Sequence, residues 1–223
     1  MDNFRRIVFS IAFLLCMAPV IAKPNQQNQQ NQQNPQQVKK EKPVSTGDLF
    51  SHDVGAYFNY EYFMGSLSHY VSSGMGGGFI YEATFRLPLN LRVGPAAHIG
   101  FNYDTTVAEQ LTSMMNLSGD IGAVLRVPVM QTGLTICPEV DYGVMAFLPS
   151  VDEEYSGSVD IKNIYADMFV KAALGIRFSH EKVLGKKLEF ELAPTYTFSL
   201  EKTGYTHLVG GRFSVRYCVG GAK

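Results

Sequence analysis

The chain has 223 residues with 19 basic and 20 acidic side chains, a formal net charge of -1, and charged residues make up only 17% of it, against about 25% in soluble domains. So even a balance offers no basic surface for nucleic acid, and three cysteines are too few for a disulfide scaffold or a zinc cluster. Aromatic residues at 12% exclude a chain that is disordered throughout.

Arg5 and Arg6 precede an apolar run from Ile7 to Met17, and Val20 and Ala22 favour cleavage before Lys23. The run is too short for a convincing membrane span, so residues 1–22 read as a secretory signal peptide. Phe13-Leu14-Leu15 ahead of Cys16 lacks the small residues usual before a lipidated cysteine. Residues 23–50 read as a disordered Gln/Asn-rich linker, with PNQQNQQNQQNPQQ at its centre. No apolar side chain is present there to offset the entropy of ordering.

From residue 51 to 221 the chain alternates with period two in eight segments, the mark of strands rather than helices. The expected strands are 53–64, 76–87, 91–104, 116–127, 133–147, 164–178, 187–200 and 205–219, with a tight turn at Pro88-Leu89-Asn90. In the third segment Leu91, Val93, Ile99, Phe101 and Tyr103 share one face, while Arg92, Gly94, His98, Gly100 and Asn102 share the other. Such strands are longer than the usual five or six residues. Their length suits a tilted crossing of a bilayer, for which a closed barrel is the solution without helices. The expected fold is therefore all-β: an eight-stranded antiparallel transmembrane β-barrel of up-and-down topology. A soluble secreted barrel or sandwich around an apolar ligand is the competing architecture.

An eight-stranded barrel is narrow and filled by side chains. The polar face carries the acids Glu61, Glu82, Asp120, Glu139, Asp141, Asp167, Glu189 and Glu191 and the bases Arg86, Arg92, Arg126, Lys171, Arg177, Arg212 and Arg216. The near balance predicts a paired interior charge network, because isolated buried charges are costly. Gly76, Gly77 and Gly78 are read as opening the second strand, and Gly94, Gly100, Gly122, Gly143 and Gly175 as making room for long inward side chains. Aromatic belts are expected from Tyr60, Tyr62, Tyr103, Phe147 and Phe198 at the outer ends and from Phe85, Phe178, Phe190 and Tyr217 at the inner ends. The longer connections, 65–75, 105–115 and 148–163, fall on the outside.

No catalytic constellation stands out, so no enzyme activity and no cofactor are expected. Met75-Gly76-Gly77-Gly78 lacks the Gly-Lys-Ser/Thr of a phosphate loop. His52, His69, His98, His180 and His207 have no metal-ligand spacing, and His98 reads as a hydrogen-bonded interior residue. Cys137 and Cys218 both point inward, which leaves either a disulfide across the lumen or two buried thiols.

Together the signal peptide, the eight long strands and the paired interior charges resemble the small eight-stranded outer-membrane β-barrel proteins of diderm bacteria, the OmpA-like, OmpX-like and OmpW-like group. The resemblance is architectural and covers residues 51 to 221. It implies location in the bacterial outer membrane, contact with outer-membrane lipid and the barrel-assembly machinery, and a monomer. The implied role is structural, adhesive or surface-interacting, with host or surface ligands as partners. Passage of small hydrophobic molecules is the alternative, with Phe63, Met145 and Phe169 as apolar contacts. The chain departs from the group at its end, where Tyr217-Cys218-Val219 is followed by Gly220-Gly221-Ala222-Lys223 instead of a final aromatic residue.

Overall fold

Period-two alternation becomes a ring of strands. The computed structural model describes residues 49–109, 111–129, 132–151, 164–179, 187–200 and 205–220; the expected signal peptide and all but the end of the linker lie outside them. Strands β1 (Phe50–Gly65), β2 (Val71–Arg86), β3 (Arg92–Thr106), β4 (Leu111–Val129), β5 (Leu134–Val151), β6 (Tyr165–Phe178), β7 (Leu188–Leu200) and β8 (Tyr205–Gly220) follow in chain order. Each pairs antiparallel with its sequence neighbours, and β8 pairs back onto β1, closing an eight-stranded up-and-down barrel. Closure leaves no strand edge with unpaired N–H and C=O groups, the condition for a sheet surrounded by lipid.

The barrel is inside out relative to a soluble protein. Phe79 and Ile121 on the outer wall are each 70% exposed, whereas Glu82 and Arg216 in the lumen are at most 1% exposed. Exposed apolar side chains line the outside of every strand, among them Phe58, Phe101, Val140, Ile176, Leu192 and Phe213. In water this surface would cost about 25 cal/mol for each Å² of apolar area; in hydrocarbon it costs nothing. The soluble alternative, with an apolar core and charges facing water, is thereby excluded.

The strands run from 13 residues in β7 to 19 in β4, longer at one end of the barrel than the sequence pattern suggests. β2 begins at Val71 rather than Gly76, β4 at Leu111 rather than Asn116, and β5 continues to Val151. The cause lies in the side chains. Beyond Glu61 and Asn116 the inward positions turn from polar to apolar, as at Phe63, Val71, Leu111, Met114 and Phe147, so the alternation fades while the backbone ladder continues. The expected long connection 65–75 shrinks to a 3-10 turn at Ser66–His69 with Tyr70, and Gly76–Gly78 sit inside β2, paired with Asn59, Phe58 and Tyr57. We call this the loop end. At the opposite, terminal end lie Phe50, Gly220 and the turn Pro88–Asn90. In that turn Leu89 and Asn90 both take left-handed backbone, with φ of 62° and 61°.

Aromatic rings ring the wall, with Tyr62 and Tyr103 exposed toward the loop end and Phe85 and Tyr217 toward the terminal end. Phe147 is the exception to the expected belts. It lies on the same side of β5 as Asp141 and Met145, is fully buried, and stacks on Tyr165 with ring centroids 4.8 Å apart.

Candidate functional site

The lumen is organised in tiers along the barrel axis. At the terminal end a water-accessible mouth encloses about 320 Å³ between Ser51, Asp53, Arg86, Asn90, Arg92, Arg126, Thr135, Glu189 and Cys218. Arg86 was expected in the interior network but is exposed here. Its position keeps the inward parity, yet it is the last residue of β2, so the side chain reaches the rim and donates to Asn90 Oδ1 at 2.5 Å. Arg92 is half-buried in the same mouth.

The next tier is a belt of buried ion pairs. Glu82 on β2 accepts from Arg177 Nη2 at 3.0 Å and from Arg216 Nη1 at 2.6 Å, and also from Arg126, which bonds Asp53 as well. Glu191 on β7 accepts from Arg177 Nη2 at 2.7 Å, Arg216 Nη2 at 2.9 Å and Arg212 Nη2 at 3.1 Å. Glu189 takes Arg177 Nη1 at 3.4 Å. Glu139 receives both terminal nitrogens of Arg212, at 2.9 and 3.1 Å, in the forked geometry that favours Arg over Lys. The Arg177–Glu82 pair joins β6 to β2, strands on opposite sides of the ring. The side chains thus bridge the lumen instead of lining it. Small residues admit them: a Cβ at Gly175 would stand 2.9 Å from Glu191 Cδ.

Above the belt, His98 Nδ1 lies 2.5 Å from Asp120 Oδ1, and its Nε2 lies 3.1 Å from Arg212 Nη1. Lys171 Nζ bonds Asp120 Oδ2 at 2.6 Å and stands 3.3 Å from Asp141 Oδ2. Donor atoms of His98, Asp120 and Asp141 fall within 4.8 Å of one another, the spacing of metal ligands, but the ammonium of Lys171 and the guanidinium of Arg212 already meet that negative charge. The imidazole side chain is 1% exposed, so this His–Asp pair has no substrate to act upon.

Glu61 forms the following tier with Asn59 and Asn102, accepting from Asn102 Nδ2 at 3.1 Å, and Asp104 accepts from Asn116 Nδ2 at 3.0 Å on each oxygen. The loop end is then closed by an apolar plug of Phe63, Leu67, Val71, Leu111, Met114, Met145, Phe147, Phe169 and Leu208, each 5% exposed or less. Leu67 comes from the 3-10 turn, which folds inward and is pinned by Leu67 N to Thr206 Oγ1 at 3.2 Å. Phe63, Met145 and Phe169 meet in this plug, packed against side chains of the chain itself. Asp167, half-buried, pairs in register with Met145, above the belt.

Sequence reasoning missed Asp53 and Asp104, although both share the inward parity of their strands with Glu61 and His98. It placed Phe63, Met145 and Phe169 at the outer end as apolar contacts but did not extend them to the rest of the plug, whose apolar residues break the polar-in rule. Cys137 and Cys218 are both buried and are not joined by a disulfide; Ser51 Oγ lies 3.8 Å from Cys218 Sγ.

No family model matches the chain, and no curated protein matches it. Solved structures do align with it. Neisserial surface protein A, NspA, shares 12% identity over 74% of this chain and 96% of its own, with a TM-score of 0.49. The outer membrane protein OprG of Pseudomonas aeruginosa shares 8% over 76% and 97%, also at 0.49, and the attachment invasion locus protein Ail of Yersinia pestis shares 11% over 75% and 97%, at 0.39. The chain is a transmembrane β-barrel on the strength of its own closed sheet and apolar exterior.

Proposed function

We propose that the protein is a closed, non-conducting barrel of the bacterial outer membrane with a structural, adhesive or surface-interacting role. In this reading residues 1–22 direct export, residues 23–50 tether the barrel on the periplasmic side, and the terminal end faces the periplasm. The barrel acts as a monomer whose partners are outer-membrane lipid, the assembly machinery and ligands met at its loop end. One observation carries the proposal: the lumen is shut twice, by the ion-pair belt and by the apolar plug. A barrel built for transport of polar solutes would keep a water column in place of both.

A second reading rests on the plug alone. Apolar side chains inside a barrel mouth also suit a small hydrophobic compound that displaces Leu67 and contacts Phe63, Met145 and Phe169. Enhanced quenching or a raised unfolding midpoint with such a compound would favour this reading.

The test of the first reading uses the protein refolded in detergent and in planar bilayers. Expected are heat-modifiable migration on a gel, co-fractionation with outer membrane, and no large stable conductance. Recovery as a soluble periplasmic monomer, or a large single-channel current, would overturn it.

A further inference from the structure

Inside the barrel the register sets opposite charges side by side. On neighbouring strands His98 faces Asp120, Asp141 faces Lys171, Arg177 faces Glu191 and Glu189 faces Arg216. The terminal mouth breaks this rule. Arg86, Arg92 and Arg126 stand in one cross-strand row on β2, β3 and β4, and all three line the mouth. Like charges directly opposite one another are destabilising, so this row favours a negative occupant.

Two carboxylates line the same mouth, and both are engaged. Asp53 holds Arg126, and Glu189 holds Arg177 of the belt at 3.4 Å. Arg126 also bonds Glu82, so it belongs to the floor of the mouth rather than to its opening. Arg86, exposed at the rim, meets the neutral amide oxygen of Asn90 at 2.5 Å and no acid among the described residues. Three guanidinium groups against two carboxylates leave the described lining with one positive charge in surplus. The chain from 180 to 187, which connects β6 to β7 at this end, carries Glu181 against Lys182, Lys186 and Lys187. The remaining walls are Ser51, Asn90, Pro128, Thr135, Ser179 and Cys218.

A second, independent observation concerns an acceptor. Asp53 is 2% exposed; its Oδ2 accepts from Arg126, while its Oδ1 accepts no hydrogen bond. A buried carboxylate oxygen without a donor is costly, and a ligand hydroxyl supplies that donor without adding charge. The mouth thus offers guanidinium donors near its rim and an open acceptor deeper in. Guanidinium forks match the oxygens of a phosphate. The volume of about 320 Å³ lies at the low end of the roughly 300–1,000 Å³ of small-molecule pockets, and the ion-pair belt closes it below.

We propose that the terminal mouth is a blind pocket for one small phosphorylated polyol of the sugar-phosphate class. Arg86 and Arg92 hold the phosphate, and Asp53 Oδ1 accepts from a ligand hydroxyl beside Arg126. Glu189, facing the same space, disfavours a ligand charged at both ends. The ligand enters and leaves by one opening. That this opening faces the periplasm rests on the orientation proposed above; the binding itself does not.

The test titrates the refolded mature chain with glucose 6-phosphate by calorimetry, in a polyoxyethylene detergent that carries neither sugar nor phosphate. Saturable one-to-one binding is expected, about fivefold or more tighter than inorganic phosphate and absent with glucose. Arg86→Gln/Arg92→Gln, shown folded by heat-modifiable migration, should weaken glucose 6-phosphate about tenfold or more, and added salt should weaken wild type more than this variant. Asp53→Asn should bind both probes equally, having lost the acceptor but not the arginines. No saturable binding up to about 10 mM, or equal affinity in the arginine variant, would overturn the proposal. Inorganic phosphate binding as tightly as glucose 6-phosphate to wild type would overturn the polyol assignment, whether or not the variants fold. Displacement of the probe by short-chain phosphatidylglycerol but not by glycerol 3-phosphate would overturn the soluble ligand and give the mouth to a lipid headgroup. The titration and the bilayer recordings are independent readouts, so this site and the closed-barrel reading can each fail alone.

Discussion

Glu82 collects guanidinium groups from Arg126, Arg177 and Arg216, which stand on β4, β6 and β8. Removing one partner from such a buried cluster costs about 3–5 kcal/mol, because the remaining charges are left uncompensated. The belt fits only because glycine stands opposite the long side chains, and that dependence can be measured. Gly175→Ala places a methyl group 2.9 Å from Glu191 Cδ and 3.2 Å from Cys137 Cβ, so it should lower stability by about 1–3 kcal/mol through overpacking. Gly119→Ala is the matched control. Nothing lies within 4 Å of its new Cβ, and it should be neutral or stabilising by about 0.5–1 kcal/mol from reduced chain entropy. Urea unfolding in vesicles, followed by tyrosine fluorescence, compares the two. Equal losses would mean that the lumen is not tightly packed around Glu191.

Strand β4 shows at the element scale what the sequence makes legible. Its segment from Leu117 to Val127 alternates apolar and polar, and its outward and inward faces can be read from the sequence. Leu111 and Met114 belong to the same strand, but they point inward and are apolar, and a bulge near Ser113 shifts the register. Period two carries information only while the two faces differ in polarity, so the plug is invisible to it. Arg126 and Glu82 are legible as inward charges; that they meet Asp53 and Arg216 across the lumen follows from barrel closure and stagger, which no local pattern encodes. The turn Pro88–Asn90 presents a sharper element-level expectation. Leu89 is 87% exposed and holds φ of 62°, a conformation costing a side chain such as Leu roughly 1–2 kcal/mol. Leu89→Asn should raise the urea midpoint, because Asn tolerates this region. An unchanged or lowered midpoint would show that Leu89 is held there by contacts outside the turn.

For the molecule as a whole, two closures in series imply a logical relation between variants. Opening the belt with Arg177→Ala/Glu191→Ala leaves the plug in place, and opening the plug with Phe147→Ala/Phe169→Ala leaves the belt in place. Each variant alone should remain silent in planar-bilayer recordings, and the combination should conduct. Current from the belt variant alone would show that the plug does not seal against ions.

The pairing of β8 onto β1 has a further meaning for how the chain is written. His52 stands opposite Gly220, so the two ends of the folded domain are neighbours at one rim, and the ring itself has no privileged first strand. A short bridge across that rim, with the chain cut instead at the turn between β3 and β4, would describe the same circle of hydrogen bonds. Order along the chain is then a matter of manufacture rather than of architecture. It decides which strand leaves the ribosome first and which presents Phe213, Val215 and Tyr217 last to the membrane, while the finished barrel keeps no record of where the circle was begun.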